Sequence, residues 1–381
     1  MNTLIVSAHH DYRTPNRASI HFVANELLSH GAVNFFSMRY SPASKYKNDA
    51  RVPLEKQTNK VELHGGVQCF LWKTPFHPIA FKQRWLWPIE RALFWIYERW
   101  SCAVLDEWAA QADVVIFESG IAPILLRRIA RINPQARLIY KGNDGLREIG
   151  ASVYVQRKLE ELIPEFDVVA LVSKSMATRW GHHSLNGLAN ANNVFVVPHG
   201  VEERLDDLGD PSPYAEGPKD SLHAVSVGSM LFDPSFFTVA GKAFPNMTFH
   251  VIGSGHDGVG IASKNVIFYP RMQYSKTIQY IKHADIGIAP YQALVLPAYL
   301  ADSSLKMLQY DYFGLPTVCP FEVVGSHKGR FGYNAGNPSS IERAIKQAIA
   351  SPHLRSRSVL TWSEVANRIL QPTLYTDTKI S

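Results

Sequence analysis

Just inside its start the chain carries an apolar run, Leu4-Ile5-Val6, and short runs of the same kind, rich in Val, Ile and Phe, recur along it. Between them apolar residues return at helical spacing. The runs predict strands at 3–8, 34–40, 68–73, 113–119, 137–142, 168–173 and 194–198, alternating with helices near 17–30, 82–109, 121–132, 152–163 and 174–182. A run such as Val114-Val115-Ile116-Phe117 has no polar face, so it predicts a strand buried on both sides, in a parallel sheet covered by helices. After Pro198-His199-Gly200 the pattern lapses, and residues 202–213, polar and interrupted by proline, predict a linker. A second series follows, with strands at 223–228, 248–253, 266–269, 286–290 and 316–319 and helices near 235–244, 274–284, 304–313 and 338–350. A last helix is expected at about 358–370. The expected class is α/β, with two Rossmann-like doubly wound parallel sheets, 1–200 and 201–354, facing a cleft, and the segment from about 355 to 381 packing back on the first.

Composition narrows what such a pair of domains can do. Of 381 residues, 46% are apolar and 19% charged, which is ordinary globular material with enough apolar side chains for two cores. Cys69, Cys102 and Cys319 lie too far apart to suggest a disulfide framework or a zinc site, as in a reducing, cytoplasmic compartment. The start reads as a strand rather than a signal peptide, and no stretch approaches the roughly 20 apolar residues of a membrane span. A net charge of +6 calls for an anionic partner. Between Phe76 and Trp108, Lys82, Arg84, Arg91 and Arg99 are interleaved with Trp85, Trp87, Trp95, Trp100 and Trp108. Aromatic rings beside cations suit a helix lying at lipid headgroups. The same pattern also fits a core helix, or stacking on single-stranded nucleic acid, for which no accompanying motif exists.

Candidate chemistry gathers where strands end. In the first half these ends are Ser7-Ala8-His9-His10-Asp11, Glu118-Ser119-Gly120 and Lys141-Gly142-Asn143-Asp144-Gly145. Asp144 is a candidate general base, with Glu118 as its rival and a turn-forming aspartate before Gly145 as the plain alternative. In the second half, Val227-Gly228-Ser229-Met230 and Val251-Ile252-Gly253 end strands in glycine. Asp302 or Ser303 can cap a helix that stops at Gly314, with Lys306 in its first turn and Gln309 on the same face. A cation is poorly placed there for the helix dipole alone and well placed if a phosphate sits at the helix start, although a surface lysine on an ordinary amphipathic helix has the same spacing.

The strings SAHHDYRTPNRASIHF, FESGIA, NDGL, VGSMLFDPSFF, FHVIGSG, YIKHADIGIAPY, YLADSSLKMLQYDYFGLPTVCP and RFGYNAGN, spread over essentially the whole chain, resemble the bacterial xanthan-type glucuronosyltransferase family GumK. That resemblance implies the GT-B fold and an inverting, membrane-associated enzyme of exopolysaccharide biosynthesis. The family moves glucuronate from UDP-glucuronate to a mannose on a polyprenyl-diphosphate-linked oligosaccharide, at the cytoplasmic face of the inner membrane. It assigns the general base to Asp144 and donor contacts to Met230, Tyr291, Ser304, Leu305, Lys306 and Gln309. Arg271 aligns with a family glutamate in the donor pocket; an arginine there can pair a sugar carboxylate bidentately. On the acceptor side stand His9, Asp11, Arg13 and Glu118, and membrane contact falls to Arg84, Trp85, Trp87 and Arg91. No cofactor is expected. With no Asp-X-Asp triplet in the chain, no divalent metal is expected on the diphosphate, and no nucleic acid is expected as partner. Arg330 stands eight positions after Glu322, where retaining GT-B enzymes carry a second glutamate, and so counts against retention. Other readings of the same architecture are a transferase using another nucleotide sugar, a nucleotide-sugar epimerase, and a non-catalytic membrane or nucleic-acid binding protein.

Overall fold

The computed structural model describes every residue except 16, 48, 82, 148–149, 178–191, 208–210, 216–220, 293–295, 298, 354–358 and 380–381. The chain divides into two compact units: Met1–Pro198 with Trp362–Ser381, and His199–Thr361.

The first unit holds β1 (Thr3–Ser7), β2 (Val33–Tyr40), β3 (Val61–His64), β4 (Val67–Lys73), β5 (Val114–Glu118), β6 (Arg137–Gly142), β7 (Val168–Leu171) and β8 (Val194–Val196). They form one sheet in the order β3-β4-β2-β1-β5-β6-β7-β8, parallel throughout except for β3 against β4. Leu4, Ile5, Val6, Val115, Ile116 and Phe117 are wholly buried, as helices on both faces require. The sequence pattern missed β3, an edge strand whose Val61 and Leu63 face solvent. Its signal was the pair Gly65-Gly66, both at positive φ, which makes the tight antiparallel turn that twists with the strands. The single helix expected over 82–109 is two, Trp87–Arg99 and Ala103–Gln111, preceded by a short turn at Arg84–Leu86. The expected helix near 174–182 falls mostly outside the described residues. The C-terminal helix Trp362–Leu370 packs on Ser19–Leu27, its Trp362 ring stacked 5.1 Å from Phe22.

The second unit has β10 (Leu222–Val227), β11 (Met247–Ile252), β12 (Val266–Tyr269), β13 (Ile286–Ile288), β14 (Thr317–Pro320) and β15 (Arg330–Tyr333), all parallel, in the order β12-β11-β10-β13-β14-β15. β15 was also missed, because Arg330 and Gly332 break its apolar run. Alternation along β10 serves two cores: Ala224 joins Phe236, Phe249 and Ile345 on one face, and Val225 joins Ile278, Ile281 and Tyr310 on the other. The expected linker is a correction. Leu205 is wholly buried in the second core, Asp206 accepts hydrogen bonds from Tyr312 and Lys282, and β9 (Gly200–Val201) pairs with β16 (Leu360–Thr361), so the start of this polar stretch is held against the second unit.

Candidate active site

In the first unit β1, β5 and β6 lie side by side, so their carboxyl ends bring together side chains more than 100 residues apart. Glu118, ending β5, is buried and fully engaged. Ser7 Oγ donates to its Oε2 at 2.5 Å, His10 Nδ1 lies 2.9 and 3.0 Å from its two oxygens, and Asn143 Nδ2 is 3.5 Å from Oε1. The His10 amide in turn donates to Ser7 Oγ at 3.0 Å. Burial alone would raise the Glu118 pKa, but the charge and hydrogen bond of His10, with Ser7, bring it below the ordinary carboxylate value. Burial works to lower the His10 pKa, and Glu118 overrides it, so the net shift is upward.

Asp144, two residues past β6, is half-buried and makes no hydrogen bond among the described residues. Burial and the neighbouring Glu118 charge push its pKa up against the opposing pull of His10 and Lys141. Two nearby carboxylates are thus driven apart, Glu118 kept ionised as a scaffold and Asp144 left as the more basic, open group. Beneath them Lys141 is wholly buried, donates to the Val197 carbonyl at 3.3 Å, and is brought down to about 7 by burial. Asp11 and Arg13 bind each other: Nε and Nη2 of Arg13 reach the two Asp11 oxygens at 2.9 and 2.8 Å, and Nη1 reaches Glu62 at 2.8 Å. His9 is exposed, its Nδ1 3.2 Å from Arg39 Nη1.

In the second unit β10 and β11 end at Gly228 and Gly253, with φ of 87° and 63°. No side chain is favoured at those angles, and the Gly228 and Gly253 N–H groups donate to the Ile252 and Tyr269 carbonyls at 2.9 and 3.0 Å, which fixes the two turns. The following loop carries Met230, half exposed, and Leu231 at φ 51°, a left-handed conformation costly for a branched residue. It is held there by two bonds to the loop after β13: Gln292 N–H donates to the Leu231 carbonyl and Asp233 N–H to the Pro290 carbonyl, both at 2.8 Å. The same loop presents Tyr291, wholly buried, whose hydroxyl lies 2.6 Å from Ser304 Oγ.

Ser304 is the N-cap residue of Leu305–Phe313, yet its hydroxyl caps nothing, being given to Tyr291. The expected caps, Asp302 and Ser303, belong instead to a preceding short turn, Leu300–Ser303. Lys306 therefore stands in the first turn of a nine-residue helix whose opening N–H groups lack a side-chain cap. Its Nζ is buried, has no hydrogen-bond partner among the described residues, and sits 4.8 Å from the Tyr291 ring centroid. Burial pulls its pKa down to about 7. Gln309 Nε2 donates to the Tyr274 hydroxyl at 3.1 Å, Leu305 is half-buried, and Arg271 is exposed. A Cβ at Gly253 would lie 3.2 Å from Arg271 Cγ, so the arginine stem runs along that strand end.

Residues 5–172 match the family described as glucuronosyltransferase GumK, N-terminal domain. A UDP-glucuronate:glycolipid 2-beta-glucuronosyltransferase of Xanthomonas campestris pv. campestris is 50% identical over 380 residues, 99% of this chain and 91% of that protein. The chain belongs to the GumK glucuronosyltransferase family. Among solved structures, this GumK-family chain is similar in fold to Anabaena HepE in complex with UDP-glucose, with a TM-score of 0.63 at 12% identity over 98% of this chain and 99% of that one. It is similar also to a Burkholderia xenovorans trehalose-phosphate synthase, with a TM-score of 0.61 at 12% identity over 98% and 100% of the two chains. The fold is GT-B.

For this GumK-family member, sequence reasoning reached Asp144 and Glu118 at one strand edge, and Tyr291, Ser304 and Lys306 around one helix start. It passed over Ser7, His10 and Asn143, although each lies in or beside a strand end already marked, because only the lateral order of β1, β5 and β6 shows that they converge on Glu118.

Proposed function

We propose that the protein transfers glucuronate from UDP-glucuronate to a glycolipid acceptor with inversion, Asp144 being the general base. The acceptor hydroxyl gives its proton to the Asp144 carboxylate as its oxygen attacks the anomeric carbon. The bond from that carbon to the diphosphate breaks, and UDP leaves with the electron pair. The observation that carries the reading is Lys306. A buried ammonium with no hydrogen-bond partner among the described residues, at an uncapped helix start, is costly unless an anion arrives, and a leaving diphosphate supplies one. Tyr291 and Ser304 fix the wall beside it, Met230 and Leu305 line the nucleotide, Gln309 orients it, and Arg271 pairs the carboxylate of the sugar.

The acceptor is proposed to be a mannose-terminated polyprenyl-diphosphate oligosaccharide, met by the first unit at an anionic inner-membrane surface. Helix Trp87–Arg99 supports this. Its inner side buries Phe94 and Tyr97, while Trp85, Trp95, Ile89 and Ile96 are exposed at 75%, 54%, 51% and 41%, beside exposed Arg91 and Arg99. Trp87 is half-buried, and the side chain of Arg84 lies outside the described residues. Among the described residues no helix is long and apolar enough to cross a membrane.

The test is transfer of labelled glucuronate to the lipid-linked acceptor in EDTA, comparing wild type with Asp144→Asn. The variant is expected to lose about 10²- to 10⁴-fold in kcat while still binding UDP. Full activity in Asp144→Asn would remove the base assignment, and transfer from UDP-glucose alone would remove the donor.

A further inference from the structure

We propose that Arg39, with His9 and His77, forms a phosphate-binding subsite in the first unit that holds the phosphate-bearing part of the glycolipid acceptor. This rests on the acceptor reading above.

Arg39 stands at the carboxyl end of β2, where the pairing with β4 is irregular, at φ 61°. A residue other than glycine, asparagine or aspartate is unfavourable at that angle, so its retention there asks for a reason. Its N–H donates to the Tyr97 hydroxyl at 2.7 Å, which pins the backbone. Among the described residues its side chain is left short of partners: Nε is buried without a hydrogen bond, and Nη1 meets only the ring of His9 at 3.2 Å. Among the described residues no carboxylate forms an ion pair with it. Asp49, the acid whose charge acts on it, is taken by Arg51, whose Nε and Nη2 reach its two oxygens at 2.9 and 2.8 Å. Arg51 spends its remaining donors on the carbonyls of Met38 and Arg39 at 2.7 and 3.2 Å.

His77 adds a second unsatisfied group. It is 8% exposed, and its buried Nδ1 has no hydrogen-bond partner among the described residues. The loop that carries it is tied to the end of β2, since Thr74 N–H donates to the Tyr40 carbonyl at 3.0 Å and Thr74 Oγ1 to the Phe76 carbonyl at 2.6 Å. Burial and the charges of Arg39, Lys47 and Arg51 hold His77 at about 4, so it is neutral and brings an N–H without a further desolvated charge. The groups acting on Arg39 are Arg51, its partner Asp49 and Tyr97; Lys47 adds a positive charge at His77 and Glu118 a negative one at His9, and with Arg39 itself the formal sum is positive. An arginine fork with unspent N–H groups and a buried imidazole beside it match the oxygens of a phosphate, which charge-assisted hydrogen bonds hold strongly.

Position decides which phosphate. On one side His9 leads directly into His10 and the Glu118 network beside Asp144. On the other, Tyr97 belongs to the helix whose outer face is proposed to meet lipid. A phosphate-linked glycolipid has its phosphate between its sugar and its lipid, and this subsite lies between the groups proposed for each.

The test compares the full-length wild type with Arg39→Asn, which tolerates the left-handed backbone, and Arg39→Lys, which keeps the charge. Arg39→Asn is expected to raise KM for the diphosphate-linked acceptor roughly tenfold or more, with KM for UDP-glucuronate unchanged. Arg39→Lys recovers part of that loss. Inorganic diphosphate should compete with the acceptor in wild type, and that competition should be lost in Arg39→Asn. Both variants should bind acceptor-free vesicles of anionic phospholipid as wild type does. An acceptor KM within about twofold of wild type in Arg39→Asn, or competition only against UDP-glucuronate, overturns the subsite. A loss of binding to acceptor-free vesicles reassigns the pocket to bulk headgroups. Failure of the underlying reading is separate, since wild type itself would then transfer nothing to the lipid-linked acceptor.

Discussion

Lys306 illustrates how burial changes the chemistry of one residue. In the free protein its pKa is about 7, because the low-dielectric surroundings disfavour the charged form and nothing described neutralises it. A bound diphosphate favours the ammonium and raises that value, so binding takes up a proton above pH 7. UDP affinity is therefore expected to fall as pH rises past about 7, with a limiting slope of about tenfold per unit. Lys306→Met should bind UDP more weakly and without that slope; calorimetry across this range reads both. A second residue-scale consequence lies in the paired histidines of the second unit. His250 is buried, its Nε2 is 3.0 Å from His223 Nδ1 and its Nδ1 is 3.1 Å from the Tyr269 hydroxyl. Burial and His223 bring it from 6.5 down to about 4. The unfolded chain then binds more protons between those values, so the stabilisation is complete above 6.5 and is lost as pH falls toward 4. The expected loss is on the order of 3 kcal/mol, visible as a falling melting temperature of the second unit in that window and flattened in His250→Gln.

At the scale of elements, a helix can serve two solvents. Trp87–Arg99 puts Phe94 and Tyr97 into the core, the Tyr97 ring 5.1 Å from Trp72, and turns Ile89, Trp95 and Ile96 outward, with Trp85 exposed in the turn before it. Arg99 lies 4.4 Å over the exposed Trp95 ring, the cation and aromatic pairing that sits well at headgroups. The double variant Trp85→Ser/Trp95→Ser removes only exposed surface. It is expected to weaken binding to anionic vesicles about tenfold or more, while the melting temperature and turnover of a short-chain acceptor stay near wild type. Loss of folding in that variant would show instead that the two rings pack within the protein.

For the whole molecule, the covalent order and the compact units do not coincide, because the chain closes the first unit only with its last helix. Trp362, Val365, Ala366 and Ile369 are almost wholly buried, Trp362 stacks on Phe22, and Arg137 donates to the Leu370 carbonyl. Ending the chain after Thr361 should lower or abolish the first unit's thermal transition and leave that of the second in place, since β16 still pairs with β9. Calorimetry resolves the two, and an unchanged first transition would show the helix to be dispensable.

How much of this was legible follows from what each feature depends on. Strands buried on both faces, such as Val114–Glu118, and the stop at Gly314 are local: apolar continuity and backbone preference write them into a few neighbouring residues. Asp144 and Lys306 stood out as candidates for the same reason, each at an element end, whereas Tyr291 was named only through the resemblance to the family. Glu118 was seen, but its state was not. His10 and Glu118 are 108 positions apart and meet only because β1 and β5 are neighbours, and the pKa of each is a property of that meeting. Arg39 was invisible, since neither its left-handed backbone nor its missing carboxylate has a sequence pattern. The sequence by itself therefore determined the elements and the chemical types available at their ends. Tertiary structure alone decided which of those groups share charge, which are spent on each other as Asp11 and Arg13 are, and which, like Lys306, are buried with nothing to bind. Electrostatic energies depend on distance and solvent exposure, and neither is a property of a stretch of chain.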